Sequence, residues 1–135
     1  MNRLLGLASR SVRRAEYNSA LYRRAEREAM RLNHEYVGLE HLFLAITSET
    51  LPSRLGECRR YVEAGPDRIR IGRLVPSPGV RAVMGEAIRM AAAEGRSQAE
   101  VEAVWQSLRS SGGEDAAQWA RRLGLDLSRE FASDA

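Results

Sequence analysis

The feature that most limits what this chain can fold into is a self-similarity at an offset of 62 residues. Ala25 falls on Ala87, Arg27 on Arg89 and Ala29 on Ala91. Asn33 falls on Gly95, Val37 on Ala99, Leu39 on Val101 and Glu40 on Glu102. Leu42 then meets Val104, Phe43 meets Trp105 and Ile46 meets Leu108. The register runs without a gap through one amphipathic stretch, a turn and a second apolar stretch. A unit of that kind cannot bury its apolar face alone. Two copies are therefore expected to pack on each other about a pseudo-twofold axis.

The apolar period is 3.6 throughout and strand signals are nearly absent, which makes the fold class all-α, with about seven to eight helices. At 135 residues the chain is expected to form one domain. The first repeat is placed at about 11–66, a connector at about 67–76 and the second repeat at about 77–131. A helix is expected from Ser11 to Leu32, with Leu21, Ala25, Ala29 and Leu32 on one stripe and Arg13, Arg23, Arg24, Arg27 and Arg31 on the opposite arc. Asn33 to Gly38 reads as a polar turn. Leu39 to Ile46 reads as a mostly buried helix, and a weaker helical piece covers Pro52–Glu63. Arg68 to Val75 is a connector whose Arg-Ile-Arg-Ile alternation suits a brief extended segment. Ser77-Pro78 is an N-cap followed by proline at the first helical position, and Gly95 stops the helix it opens. Ser97-Gln98-Ala99-Glu100 reads as a capping box opening a helix to about Arg109. A loop at Ser111–Gly113 precedes a helix from Glu114 to Leu123 that Gly124 closes.

Composition removes several chemistries. All 21 basic residues are arginine, so a P-loop lysine, a Schiff base and a lysine general base are absent. Cys58 is the sole cysteine, which excludes an internal disulfide and a cysteine-based zinc site. Arg54, Arg59 and Arg60 flank it and would favour a lowered thiol pKa, against the plainer reading of an incidental cysteine. No apolar run approaches the length of a membrane span, and the apolar part of MNRLLGLASRS is too short for a secretory leader. The expected setting is the reducing cytoplasm. Net charge is +3, with +5 on residues 1–34 and −2 on residues 74–135. The arginine arc of the first helix is interrupted by Glu16 and Glu26 and reads as a solvated face, so nucleic acid is disfavoured as a partner.

Catalytic and metal constellations are not legible. His34 and His41 stand seven apart, not the four of H-E-x-x-H, and are expected to straddle a turn. With two histidines, both in this stretch, no Ser/His/Asp arrangement can be drawn. The chain is read as non-enzymatic, with no cofactor and no metal. Phe43 and Trp105 sit at apolar helix positions and read as core. Glu40 and Glu102 both fall in the first turn of a helix, where the dipole favours a carboxylate whatever its function.

The stretch from Glu28 to Ile46, EAMRLNHEYVGLEHLFLAI, closely resembles the Clp repeat, E-A-x-x-L-x-H-x-Y-I/V-G-T-E-H-L/I-L-L-G-L. This repeat builds the N-terminal domain of the ClpA/ClpC class of AAA+ unfoldases. In weaker form, Ser77-Pro78, Gly112–Ala117 and Leu123–Leu127 are similar to the family's second repeat. The resemblance covers about residues 14–130 and implies a bundle of two pseudo-symmetric helical repeats. It also implies a domain that docks substrates and adaptors for a Clp ATPase. In some relatives the glutamate of each G-T-E-H motif holds the guanidinium of a phosphorylated arginine; the matching residues here are Glu40 and Glu102. Leu39 and Val101 stand where the motif has threonine, which makes both positions more apolar. Glu100 and Ala103 replace the motif's Gly and His in the second repeat. No G-x-x-x-x-G-K-[ST] occurs in the chain, so it is expected to be a free-standing domain without ATPase modules. Leu39, Glu40, Val101 and Glu102 are the candidate ligand- or peptide-binding residues. Three roles follow from the resemblance: recognition of a substrate or adaptor in trans for a Clp protease, sequestration of a Clp-directed cyclic peptide antibiotic, and recruitment of the fold as a small-molecule binder or biosynthetic enzyme.

Overall fold

A computed structural model describes residues 19–66, 74–96 and 99–129. Among them are six α-helices: α1 (Ala20–Arg31), α2 (Leu39–Thr50), α3 (Leu55–Arg60), α4 (Pro78–Ala93), α5 (Val101–Ser111) and α6 (Gly113–Leu123). A 3-10 turn at Pro52–Arg54 leads into α3. Two short strands, β1 (Tyr36–Val37) and β2 (Val75–Pro76), pair in parallel, Tyr36 opposite Val75 and Val37 opposite Pro76.

α1 begins later than the expected Ser11, because Ser19 caps it: its Oγ accepts the Tyr22 N–H at 3.0 Å. Residues 11–18 lie outside those described. α1 buries Leu21, Ala25 and Ala29 of the expected stripe, and Tyr22 beside them; Leu32, the stripe's last member, is the half-buried C-cap, and the helix ends at a turn where Asn33 adopts a φ of 57°. Of the opposite arc, Arg23, Arg27 and Arg31 are exposed. Arg24 instead turns onto α2, donating to Ser48 Oγ at 2.7 Å and pairing with Glu49 at 3.5 Å.

α2 is buried on every side from Leu39 to Thr47, which makes it the central helix. Its two buried hydroxyls are satisfied internally: Thr47 and Thr50 donate to the carbonyls of Phe43 and Ile46, each at 2.8 Å. The most extensive helix pairings are α1 with α2 and α4 with α5, and α2 also packs on α4 and α6.

Helix boundaries keep the 62-residue register. Arg31 and Ala93 end α1 and α4, and Leu39 and Val101 begin α2 and α5. The equivalent residues Phe43 and Trp105 meet edge to face, ring centroids 6.2 Å apart and planes at 86°. One continuous apolar core spans both halves.

Several boundaries differ from the sequence reading. The polar turn Asn33–Gly38 contains β1, and the extended segment past the connector is Val75–Pro76; residues 67–73 lie outside the description. The inward members Val37 and Pro76 are buried while Tyr36 and Val75 face out. α4 starts as expected, with the Val80 N–H on Ser77 Oγ at 3.2 Å and Pro78 following. α5 begins at Val101 rather than behind a Ser97 cap, with Glu100 as an extended N-cap residue. Ser97 and Gln98 are not among the described residues. The expected loop at Ser111–Gly113 shrinks to Gly112 alone. A Cβ there would collide with Ala116 and the Leu108 carbonyl, so only glycine lets α6 fold back this tightly.

Cys58 does not have the lowered thiol pKa that its flanking arginines would favour. It is buried where α3 meets α6, its Sγ 3.6 Å from the Leu123 carbonyl. Burial raises the thiol pKa and outweighs the lowering by Arg54. Arg59 is already engaged, clamping Glu28 of α1 with Nη2–Oε1 at 2.6 Å and Nε–Oε2 at 3.1 Å.

Candidate functional site

The two acids singled out by the sequence occupy equivalent backbone. Gly38, the N-cap of α2, has φ −107° and ψ 177°; Glu100, the N-cap of α5, has φ −96° and ψ 173°. The side chains that follow differ. Glu40 is only 6% exposed, whereas Glu102 is exposed. Leu39 is buried and Val101 is half-buried.

Glu40 folds back over the helix start. Its Oε2 accepts the Tyr36 hydroxyl at 3.1 Å, and its Oε1 occupies the space a Cβ on residue 38 would take. Gly38 is thus required by close approach. Burial and the neighbouring Glu40 carboxylate both push the Tyr36 phenol above its ordinary pKa. At this end the start of α4 presses in so closely that a methyl on Gly79 would touch Leu39 at 3.4 Å.

The two histidines hold this arrangement from beneath. The Gly38 N–H donates to His41 Nδ1 at 2.8 Å. A backbone N–H can only donate, so Nδ1 is an acceptor and the His41 proton sits on Nε2. Nε2–H then donates to His34 Nδ1 at 2.7 Å, and His34 Nε2–H donates to the Glu63 carbonyl at 2.8 Å. Both ring nitrogens of each histidine are thereby used, leaving no lone pair free for a metal. Burial, with the His34 neighbour adding to it, lowers the His41 pKa to about 3. His34 in turn stacks on Tyr36, centroids 5.4 Å apart and planes 13° from parallel. The relay does straddle the turn, as the spacing suggests, and it fixes the Tyr36 ring over Glu40.

The second acid borders a groove. A cavity of about 440 Å³ opens between the starts of α1 and α5, lined by Ala20, Leu21, Glu49 and residues 99–102. Its floor is apolar, from Leu21, Ala99 and Val101. Its rim carries three carboxylates. Glu49 pairs with Arg24 at 3.5 Å and Glu100 with Arg96 at 3.0 Å, while Glu102 has no ion-pair partner among the described residues. The structure brings Val101 and Glu102 together with Ala20, Leu21 and Glu49, which sequence reasoning did not name. It does not bring Leu39 and Glu40 into this groove. The groove forms where the starts of α1 and α5 come near the end of α2, a tertiary fact with no local signal.

A second groove, about 640 Å³, lies between the end of α5, the start of α6 and Leu127–Ser128, where Arg109 donates to the Ser128 carbonyl at 3.1 Å. None of the residues proposed from sequence lines it.

No family model matches this sequence, and no curated protein matches it. Among solved structures, the chain is similar to the N-terminal domain of ClpD, the caseinolytic protease associated chaperone of Arabidopsis thaliana. The two share 18% identity with a TM-score of 0.62, over 84% of this chain and 88% of that one. The chain has the all-α fold of a Clp N-terminal domain. Among the described residues no helix is long and apolar enough to cross a membrane.

Proposed function

We propose that this chain is a non-catalytic guest-binding module that takes an arginine-bearing peptide or protein segment in the groove between α1 and α5. Its role is recognition in trans: it presents a substrate or adaptor to a Clp protease system of the reducing cytoplasm. The observation that carries this reading is the groove itself, an apolar floor of Leu21, Ala99 and Val101 beneath an exposed Glu102 without an ion-pair partner among the described residues. A carboxylate accepts two parallel hydrogen bonds from a guanidinium, while the apolar floor takes the arginine stem and its neighbours. The Clp N-domain fold supports the class of role. The groove's surplus of carboxylate favours a plain guanidinium over a phosphorylated one, because Arg24 and Arg96 are already paired.

Calorimetric titration tests this with three peptides that share apolar flanks and differ at one residue: arginine, phosphoarginine or the neutral isostere citrulline. The arginine peptide is expected to bind and the citrulline peptide to lose about tenfold or more, the loss of one charge-assisted contact. Equal binding of all three contradicts the reading. The apolar floor also supports a second role, sequestration of an apolar cyclic peptide antibiotic. Under that role such a peptide binds irrespective of charge and raises the melting temperature.

A further inference from the structure

The duplication places an acid at the start of both inner helices, but the described structure shows a closed circuit around only the first. Sixty-two residues on from His34, Tyr36, Gly38 and His41 stand Arg96, Gln98, Glu100 and Ala103. The ring that anchors the stack, the phenol that bonds the acid, the bare N-cap and the relay histidine are all replaced together. The backbone at the two N-caps is nearly the same, so the difference lies in the side chains. At residue 100 the side chain points to Arg96, 3.0 Å away, and Glu102 stands out in the solvent. At residue 38 there is no side chain, and the Glu40 carboxylate drops into that space under Tyr36.

We propose that the two equivalent positions have diverged into one shut and one open site, with Tyr36 as the lid that seals Glu40 and Gly38 as the residue that lets the acid seat. The word "open" rests on the guest-binding reading above; the closure of the first position does not. To reach Glu40 a guest must break a charge-assisted hydrogen bond and the His34–Tyr36 stack. Glu102 is exposed and has no ion-pair partner among the described residues, so reaching it breaks no such contact. The domain therefore carries one guest position, although its duplicated sequence spells two.

Carboxylate labelling of the whole chain with carbodiimide and glycine ethyl ester, read by peptide mass spectrometry, tests the closure without any guest. Glu102 is expected to label and Glu40 to be protected. Tyr36→Phe deletes the lid's hydroxyl and is expected to raise Glu40 labelling towards that of Glu102, with unchanged helical circular dichroism. If that variant does not fold, His34→Ala removes the stack from the far side and is expected to have the same effect. Equal labelling of both acids in the unaltered chain overturns the proposal, as does a Glu40 that stays protected in every folded variant. Titration with the arginine peptide adds the site count: one equivalent per chain, lost in Glu102→Gln and kept in Glu40→Gln. Loss of binding in Glu40→Gln contradicts the proposal. Failure of any peptide to bind removes the guest reading and leaves the closure to be decided by the labelling.

Discussion

Phe43 and Trp105 are the same position in two copies of one helical unit, and their rings meet edge to face 6.2 Å apart. The contact is the point at which each repeat closes the other's core, and the Trp105 indole N–H reaches past it to the Arg129 carbonyl at 3.0 Å.

Truncation of that pair is expected to be the costliest core change. Phe43 is fully buried, so Phe43→Ala should lower unfolding free energy by about 3–5 kcal/mol. A double-mutant cycle with Trp105→Ala should return a coupling of about 0.5–1.5 kcal/mol beyond burial. Chemical denaturation of the four proteins measures both.

Arg59→Met strips the partner from Glu28, a carboxylate whose side chain is only 6% exposed. The loss should be about 2–3 kcal/mol, because an acid is left buried and unpaired. Adding Glu28→Leu to it should restore most of the stability. Thermal unfolding of the single and double variants distinguishes an expensive orphan charge from an intrinsically strong pair.

Acid should weaken the fold through His41. Its folded pKa is lowered from 6.5 to about 3, so the unfolded chain binds the proton more readily. The stabilisation is complete above 6.5 and is lost progressively as pH falls from 6.5 toward 3. The relay shows why: it runs from a fixed donor, the Gly38 N–H, to a fixed acceptor, the Glu63 carbonyl. Two neutral rings fit between them, and an added proton sets two donors face to face. The fall in stability over this window should be shallower in His41→Gln than in the unaltered chain, measured by denaturant unfolding across pH.

Gly38→Ala should destabilise by about 1–3 kcal/mol, because the new methyl collides with the Glu40 carboxylate and the Tyr36 ring. Gly56→Ala is the control. That glycine lies in α3 with open space around it, so alanine should be neutral or slightly stabilising. Comparing the melting temperatures of the two variants separates a lost close approach from a general glycine effect.

Helices with strong local punctuation are legible in this sequence. Ser77-Pro78 fixes the start of α4, and Gly95 and Gly124 follow the ends of α4 and α6 at φ values of 77° and 73°. The short β1–β2 pairing is not legible, because two residues have no period. The start of α5 is misread because Ser97 and Glu100 together imitate a capping box, whereas Glu100 is itself the extended N-cap residue. Glu40 and Glu102 look alike in sequence, two acids in the first turns of equivalent helices. Their difference depends on what stands over them, and two signals for it are present: the four-residue spacing from Tyr36 to Glu40, and glycine at 38 against glutamate at 100.

The guest position is tested most directly by backbone amide NMR during titration with the arginine peptide. Shift changes concentrated at Leu21, Ala99, Val101 and Glu102, with Glu40 and Tyr36 undisturbed, are the predicted result. Changes confined to the groove of Arg109 and Ser128, or equal changes at both acidic helix starts, would contradict it.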